Sequence, residues 1–458
     1  MVLAFYYVWY APNSEKWVQA KDMPVLGRYS SSDENVVLKH CEWAKKYGID
    51  GFVISYWKER NPADLRKMKS ITEVLEKCGL KYTFYIENGR PTDRIDTVLK
   101  HFGDRRNLIR INGKPIIFLY SRVVHKLSIG ERRHLMDLSD SVYLSLDGFN
   151  GLNGFTAGNM HTYINLKDGV DWAKEVCDYT HAFGGLCAIP VSPGFDFKRD
   201  PRLYVDREGG RTYVRQWERA INAGADIVLI TSFNEWIEGT HVEPSKRYGF
   251  RYLQLTRRMA RKFKSRVSKR KVTFKPAKFD KHPNLCLMPR GKTAVTLLLQ
   301  GRSIDRYSFN GCNVVVYDEG EIYDPEFIPL LVDYVRRGGT LILAGGPFPM
   351  FYTWAMEKKP ATERFGLRIG FGPDLKGEYG GTVTVEGEDR AFRYYAVGDT
   401  RLRVLENPHR SYYTLRRLST PLGTVVGERR LGSGRIFFLW KGLSEQPYLP
   451  SILNDVLR

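Results

Sequence analysis

A chain of 458 residues is too long for one ordinary domain and enough for two or three. Its 43% hydrophobic and 27% charged residues exclude a disordered or fibrous chain, and no apolar run reaches the roughly 18 residues of a membrane-spanning helix. The formal charge of +20 raises nucleic acid or an anionic surface as a partner, but the excess is concentrated between Arg257 and Lys281, where 12 Lys/Arg face the single Asp280. That run has no interleaved aromatics and no nucleic-acid motif, so it reads as a solvated helix end plus linker, with no nucleic-acid partner expected.

Met1–Tyr10 has neither a basic start nor a small-residue cleavage site and reads as a buried strand, which implies a cytoplasmic location. Strand-like and helix-like segments then alternate. Leu3–Tyr10 is rich in β-branched and aromatic residues. Asp33 can cap a helix with the apolar stripe Val37, Cys41 and Ala44, stopping at Gly48. Gly51–Trp57 is the second strand, and Leu65, Met68, Ile71, Leu75 and Cys78 form one face of a helix ended by Gly79. Lys81–Glu87 is the third strand, Ile95, Val98, Leu99 and Phe102 mark the next helix, and Pro115–Tyr120 is the fourth strand. Further strands are expected near Val142–Leu146, Gly158–Ile164, Leu186–Val191 and Asp226–Thr231. Eight strands over about 260 residues predict an α/β fold, a (β/α)8 TIM barrel. An open doubly wound sheet would need a Gly-rich phosphate loop after its first strand, and Trp9-Tyr-Ala-Pro12 is not one.

The expected domains are a barrel over 1–265, a basic linker over 266–281 and a smaller Rossmann-like α/β domain over 282–458. In the last, Asn313–Tyr317, Gly338–Gly346, Val383–Val385, Gly423–Val426 and Arg435–Trp440 read as strands, and Pro325–Arg336 as a helix. The pattern resembles the glutamine-amidotransferase-like domains appended to some glycosidases. Active members carry a nucleophilic Cys on a turn that here reads Leu343-Ala-Gly-Gly-Pro-Phe348, without a Cys. The domain is therefore expected to be non-catalytic, serving structure or homo-oligomerisation. Six scattered cysteines (Cys41, Cys78, Cys177, Cys187, Cys286, Cys312) without a CxxC pair read as reduced core thiols. The scarcity of glutamine, five in the chain, beside abundant Lys, Arg and Glu would suit a thermophile.

The chemistry is concentrated in one segment. Apolar Ile227–Ile230 runs directly into Thr231-Ser-Phe-Asn-Glu-Trp-Ile-Glu-Gly-Thr240, so Glu235 and Glu238 emerge at a strand's C-terminal end, where barrel enzymes carry their catalytic groups. Two carboxylates flanking a scissile bond are the usual equipment of a glycosidase. Trp236 and the strand-end aromatics Tyr7, Trp9, Tyr10, Tyr56, Trp57 and Tyr120 offer faces on which a sugar stacks. His241 and Glu243 are two groups without a third, so no metal site is expected.

Ordered motifs extend the reading. Phe5–Tyr10, Gly27–Ser31 with Asp33, His40–Ala44, Gly48–Trp57, Ile86–Arg90, Lys114–Tyr120, Pro193–Asp196, Arg207–Arg211 and Ile230–Thr240 with Glu243-Pro244 resemble glycoside hydrolase family 99. This is the family of endo-α-mannosidases, endo-α-mannanases and related proteins of polysaccharide gene clusters. The resemblance covers roughly residues 3–250. It implies a retaining hydrolase of α-mannosidic or related α-glycosidic linkages within an oligosaccharide or polysaccharide, needing no cofactor. It also implies that Glu235 is a base acting on the sugar's 2-hydroxyl, through a 1,2-anhydro intermediate, and that Glu238 is the acid/base. Tyr7, Trp9, Tyr10, Trp57, Glu87, Arg90, Tyr120, Asn234 and Trp236 are the expected substrate-binding residues. Ile237 stands where the family's enzymes have His, and Glu87 is followed by Asn-Gly rather than Pro-Tyr. The alternatives are a protein of a polysaccharide or lipid-linked glycan assembly pathway, and a non-catalytic glycan-binding protein.

Overall fold

The computed structural model describes residues 1–57, 62–148, 152–165, 172–266 and 270–277. Beyond these it describes the stretches 284–288, 294–304, 309–318, 322–323, 327–346, 352–353, 369–372, 382–386, 391–396, 401–404, 425–440 and 449–458. The chain divides into two compact units: Met1–Asn150 with Thr156–Pro276, and Gly151–Phe155 with Ala277–Arg458.

The first unit is a closed barrel of eight parallel strands: β1 Val2–Tyr6, β2 Gly51–Tyr56, β3 Lys81–Ile86, β4 Lys114–Leu119, β5 Tyr143–Asp147, β6 Ala157–His161, β7 Leu186–Val191 and β8 Ile227–Ile230. Each pairs with the next, and β8 returns to β1 through Val2–Val228 and Ala4–Ile230. Strands buried on both faces read as near-continuous apolar runs, and β1, β2, β7 and β8 have every residue buried. Alternation decides the faces. Leu3, Phe5, Val53, Tyr85, Ile116, Phe118, Ala188 and Leu229 form one core cluster. Gly51 opens β2 because a Cβ there would lie 2.7 Å from the Lys81 carbonyl oxygen.

Helices α1 Glu34–Lys46, α2 Pro62–Cys78, α3 Pro91–Phe102, α4 Ile129–Leu138, α5 Trp172–Ala182, α6 Arg211–Asn222 and α7 Arg251–Arg266 connect the strands or follow the last of them. Asp33 caps α1 by accepting from the Asn35 and Val36 N–H groups, and Gly48, at φ +88°, carries the chain away from its end. In α4, Ser128 and Glu131 form a reciprocal capping box. α7 buries Tyr252, Leu253, Thr256, Met259, Ala260 and Phe263 at helical spacing and leaves most of its cations outside. Lys262 and Lys264 pair with Glu218 and Asp50. Such exposed pairs contribute about 0–1 kcal/mol each, so the basic run does little for stability. Within the segment expected to be a linker, residues 270–277 are described, and Thr273 and Phe274 both donate to the Gly184 carbonyl, at 3.0 and 2.9 Å.

The second unit contains a mixed seven-stranded sheet, made of β9 Leu285–Leu287, β10 Arg302–Ser303, β11 Val314–Tyr317, β12 Thr340–Gly346, β13 Arg401–Val404, β14 Val425–Leu431 and β15 Gly434–Trp440, in the order β10-β9-β11-β12-β15-β14-β13. The β10-β9-β11-β12-β15 portion is parallel, and α8 Ile328–Arg336 crosses between β11 and β12. Strands β14 and β13 add antiparallel. Its own core includes Val315, Tyr317, Leu331, Leu341, Leu343 and Phe438. The expected turn after Leu343 lies outside the described residues from 347 onward.

The cysteines correct the expectation of free thiols. Cys41–Cys78, Cys177–Cys187 and Cys286–Cys312 form three disulfides with Cα–Cα separations of 6.7, 4.9 and 5.7 Å. Each joins neighbouring elements, α1 to α2 and α5 to β7 in the barrel, so burial that suits a small apolar thiol equally suits a bridge.

Candidate active site

The C-terminal ends of the barrel strands converge on one polar cluster. Tyr7 follows β1, Ser55 lies near the end of β2, Glu87 follows β3, Tyr163 lies two residues past β6, and Glu235 and Glu238 follow β8. After Ile230 the chain forms a tight loop braced by its own polar residues. Ser232 N–H donates to the Thr240 carbonyl at 3.0 Å, Glu235 N–H donates to Ser232 Oγ at 2.7 Å, and Thr240 N–H returns to the Glu235 carbonyl at 3.2 Å.

Asn234 anchors this loop to β1 through paired hydrogen bonds with the Tyr7 backbone. Beneath it, Glu243 Oε2 accepts from Tyr29 O–H at 2.8 Å and Trp236 Nε1–H at 3.0 Å, while Glu243 Oε1 is 2.9 Å from His40 Nε2. His40 Nδ1 in turn lies 3.0 Å from Tyr6 Oη. All five side chains are buried. This network holds the segment carrying the two acids, because Trp236 sits between them in sequence and cannot turn without breaking its bond to Glu243.

Glu235 is almost completely buried and accepts from the Ile237 N–H at 2.9 Å and from Tyr10 O–H at 3.3 Å. Burial pushes its carboxyl well above the usual range, and the neighbouring charge of Glu238 pushes the same way. Glu238 is half-buried and accepts from Tyr163 O–H at 3.1 Å, and Tyr7 O–H donates to Tyr163 Oη at 2.7 Å. Desolvation raises Glu238 to about 7, opposed by the Tyr163 hydrogen bond. Glu87 accepts from Ser55 Oγ–H at 2.5 Å and is raised to about 8, first by burial and further by the charge of Glu238. Crowded, desolvated carboxylates share fewer protons than sites, so near neutral pH the cluster holds at least one proton. A group that can give a proton beside one that can take it is the requirement for general acid–base catalysis.

The other expected substrate residues divide. Trp9 packs on Tyr7 with centroids 4.5 Å apart and meets Trp57 edge-on at 5.7 Å; Trp57 stays 39% exposed, so this pair presents an aromatic wall to solvent. Tyr120 lies edge-on to Tyr163 at 6.4 Å. Tyr10 and Asn234 serve the loop, as described. Trp236 is fully buried and has no face to offer a sugar. Arg90 precedes α3 with an exposed side chain that pairs with Glu131 of α4 at 3.2 Å, apart from the carboxylate cluster. Among the described residues no group of three His, Cys, Asp or Glu side chains is placed to hold a metal.

Sequence reasoning missed Tyr163, which touches both Glu238 and Tyr7, and Asp147 at the end of β5. Asp147 accepts from the Ser121 N–H at 3.2 Å and is raised by burial to about 6. The strand before Tyr163, Ala-Gly-Asn-Met-His, carries polar Asn159 and His161 on its buried side and so gives a weak apolar signal. A tyrosine near the C-terminal end of the expected strand Gly158–Ile164 was the available cue.

The family described as "Glycosyl hydrolase family 99" matches residues 10–142 and 129–270. The chain belongs to glycosyl hydrolase family 99. Similar curated proteins include the glycoprotein endo-alpha-1,2-mannosidase of Mus musculus, 25% identical over 306 residues, or 55% of this chain and 64% of that protein. The glycoprotein endo-alpha-1,2-mannosidase-like protein of Homo sapiens is 26% identical over 296 residues, again covering 64% of its length. The chain thus spans somewhat less than two thirds of these relatives. Among solved structures, the family 99 endo-alpha-mannosidase of Bacteroides thetaiotaomicron shares the fold with a TM-score of 0.52, 23% identity, and 58% of this chain against 97% of that one. The family match encloses Tyr10, Glu87, Tyr163 and the whole loop from Ser232 to Glu243; Ala277–Arg458 of the second unit lies beyond it. No helix among the described residues is long and apolar enough to cross a membrane.

Proposed function

We propose that this family 99 member is a retaining glycoside hydrolase of α-mannosidic linkages within a glycan. The observation that carries the reading is the pairing of Glu235 and Glu238 on one braced loop, with the Tyr7–Tyr163 hydrogen-bond chain ending on Glu238. The names of the relatives, endo-alpha-1,2-mannosidases, support the choice of sugar.

In this mechanism Glu235 acts as base. Burial and the charge of Glu238 raise its carboxyl, which makes it a stronger base once ionised, and the Ile237 N–H and Tyr10 O–H that it accepts favour the charged form against them. It removes the proton of the sugar's 2-hydroxyl, and O2 attacks C1 as the C1–O bond to the leaving group breaks. In α-mannose O2 and the leaving oxygen are trans-diaxial, the geometry backside displacement needs. Glu238, raised to about 7, delivers its proton to the departing oxygen. The product of this step is a 1,2-anhydro sugar. Water then adds to C1, giving its proton to Glu238 while O2 recovers one from Glu235. Two inversions return the α-anomer. Glu87, protonated near neutral pH, can donate to a sugar oxygen in the cleaved subsite, and the Trp9–Trp57 wall offers a stacking face.

The test is a screen of defined α-mannosides and α-glucosides with the first-formed anomer followed by NMR. Turnover of α-mannosides with initial α-product is expected. Initial β-product, or turnover confined to α-glucosides, defeats the reading.

A further inference from the structure

The aromatic wall of Trp9 and Trp57 is bordered by cations. Lys16 Nζ lies 4.4 Å from the centroid of the Trp9 ring. The guanidinium carbon of Arg122 lies 5.9 Å from the Trp57 centroid and 5.6 Å from that of Tyr120. Lys16 opens the short helix Lys16–Gln19 between β1 and α1, and Arg122 belongs to the short helix Ser121–Val124 just past β4. Both therefore stand at the end of the barrel that carries the acids.

These charges are unmatched. Among the described residues no carboxylate is within ion-pair distance of Lys16 Nζ or of the Arg122 guanidinium, and Glu87, Glu235 and Glu238 form no such pair with any cation. Burial holds the Lys16 ammonium below the usual lysine range; the charge of Glu235 opposes this, and that of exposed Arg199 adds to it. The acids supply little compensating charge. Burial raises Glu87 to about 8 and Glu238 to about 7, so near neutral pH the first is largely protonated and the second partly so. An aromatic face holds a cation in place without neutralising it. The cleft is thus left with a positive rim, which attracts anions.

The rim identifies the ligand class. A guanidinium fork matches the paired oxygens of a carboxylate or a phosphate, and an ammonium adds a compact point charge. A neutral sugar stacked on the wall needs neither. A sugar that stacks on the exposed part of Trp57 and carries an anionic substituent brings that group beside the exposed Arg122 side chain.

We propose that the Trp9–Trp57 wall receives a sugar bearing a phosphate or a carboxylate, and that Arg122 and Lys16 select it by that charge. The inference rests on the hydrolytic reading above and narrows the substrate to an acidic glycan.

The test uses three aryl α-mannobiosides that differ only at C6 of the non-reducing sugar: the neutral compound, its 6-phosphate and the corresponding uronic acid. At least one anionic substrate should exceed the neutral one by about tenfold or more in kcat/KM, an advantage that falls as salt is raised. Which of the two gains it distinguishes phosphate from carboxylate. Arg122→Gln should lose most of the advantage while staying within about threefold of the wild type on the neutral substrate, and Arg122→Lys, which keeps the charge without the fork, should retain part of it. Lys16→Gln should lower the advantage further when combined with Arg122→Gln. A wild-type chain that does not favour either anion, or an advantage that survives the double variant, overturns the proposal. Equal losses on all three substrates overturn it as well, and assign the cations to the acids instead. Calorimetric titration with mannobiose and its two C6 anionic forms gives a readout independent of turnover. Tighter binding of an anionic form that Arg122→Gln abolishes supports the proposal; equal or absent binding overturns it. If the wild-type chain cleaves none of the three substrates, the hydrolytic reading fails, and the titration still decides whether the wall selects an anionic sugar.

Discussion

Asn234 grips the backbone of Tyr7 from both sides, its Oδ1 accepting from the Tyr7 N–H at 2.7 Å and its Nδ2 donating to the Tyr7 carbonyl at 2.9 Å. The two residues are 227 apart in sequence and stand on adjacent strand ends, so the barrel's closure between β8 and β1 also sets the active site. An amide is the side chain that satisfies a backbone donor and acceptor together. Asn234→Ala would leave both backbone groups buried and unpaired, at about 1–3 kcal/mol each. It should lower thermal stability and cut kcat far more than KM, measured by melting curves and steady-state kinetics. Asn234→Asp should recover only the bond to the Tyr7 N–H. A stable Asn234→Ala variant with full activity would show that the grip is not needed.

Glu87 gives a stability prediction with a definite sign. Its folded-state value of about 8 lies above the usual 4.5, chiefly because burial disfavours the charge. A raised carboxyl value means that the folded state binds the proton more tightly. The cost of keeping this group in the fold is therefore absent below about pH 4.5, grows as pH rises, and saturates above about 8. Glu87→Gln keeps an acceptor for Ser55 and removes the titration. The variant should be more stable than the parent by a few kcal/mol, on the order of 3, at pH 8, with the gap closing by pH 4.5. Denaturant titrations at those two values check it. A gap that widens toward acid would reverse the assignment.

Most of the barrel was legible because parallel strands buried on both faces are written as plain apolar runs, and Ile227–Ile230 leading into Glu235 located the site within them. What faced where was not legible. Trp236 and Trp57 are both aromatics near strand ends, yet one is fixed in the core by Glu243 and the other borders solvent. Arg90 follows Gly89, whose φ of +83° turns the chain into α3 and leaves the arginine beside Glu131. The cysteine pairs depend on which helices become neighbours, and spacing alone leaves six cysteines with fifteen connectivities.

The three disulfides make a direct prediction. Denatured, unreduced protein should show no titratable thiol, and reduced protein should show six. Breaking the Cys286–Cys312 bridge as a double serine variant opens a loop of 26 residues, for which loop-closure entropy gives a loss of about 3–4 kcal/mol. That loss belongs to the second unit's own core, so hydrolysis by the barrel should stay within about twofold. Free thiols in the denatured, oxidised chain would restore the reduced reading.

Tyr163 tests the electrostatics of the pair. Its O–H, held to Glu238 at 3.1 Å, lowers a carboxyl that burial has raised to about 7. Because the acid must enter the reaction protonated, kcat/KM should fall as pH rises through this value. Tyr163→Phe removes the donor that favours the charged form, so the basic limb should move up by about one unit while the maximum drops. A downward shift would mean that the limb belongs to another group.

The final prediction concerns the division of labour between the two acids. If Glu238 is the general acid, Glu238→Gln should damage substrates with poor leaving groups far more than activated aryl glycosides, whose departure needs little protonation. Acid assistance is typically worth about 10²–10⁴-fold, so the ratio of the two rates should change by at least the lower figure. Glu235→Gln should slow both substrates alike, since without the base O2 displaces neither leaving group. The braced loop makes these comparisons clean: Glu235 meets the protein through the Ile237 N–H and Tyr10 O–H, and Glu238 through Tyr163, so each amide removes one proton-transfer role without the other's contacts. A substrate carrying hydrogen or fluorine in place of the 2-hydroxyl should fail with the wild-type chain, having no internal nucleophile. Mass spectrometry decides between mechanisms. A stable 2-fluoroglycosyl ester on Glu235 would establish direct attack by the carboxylate and end the anhydro-sugar proposal, while leaving both glutamates as the catalytic pair.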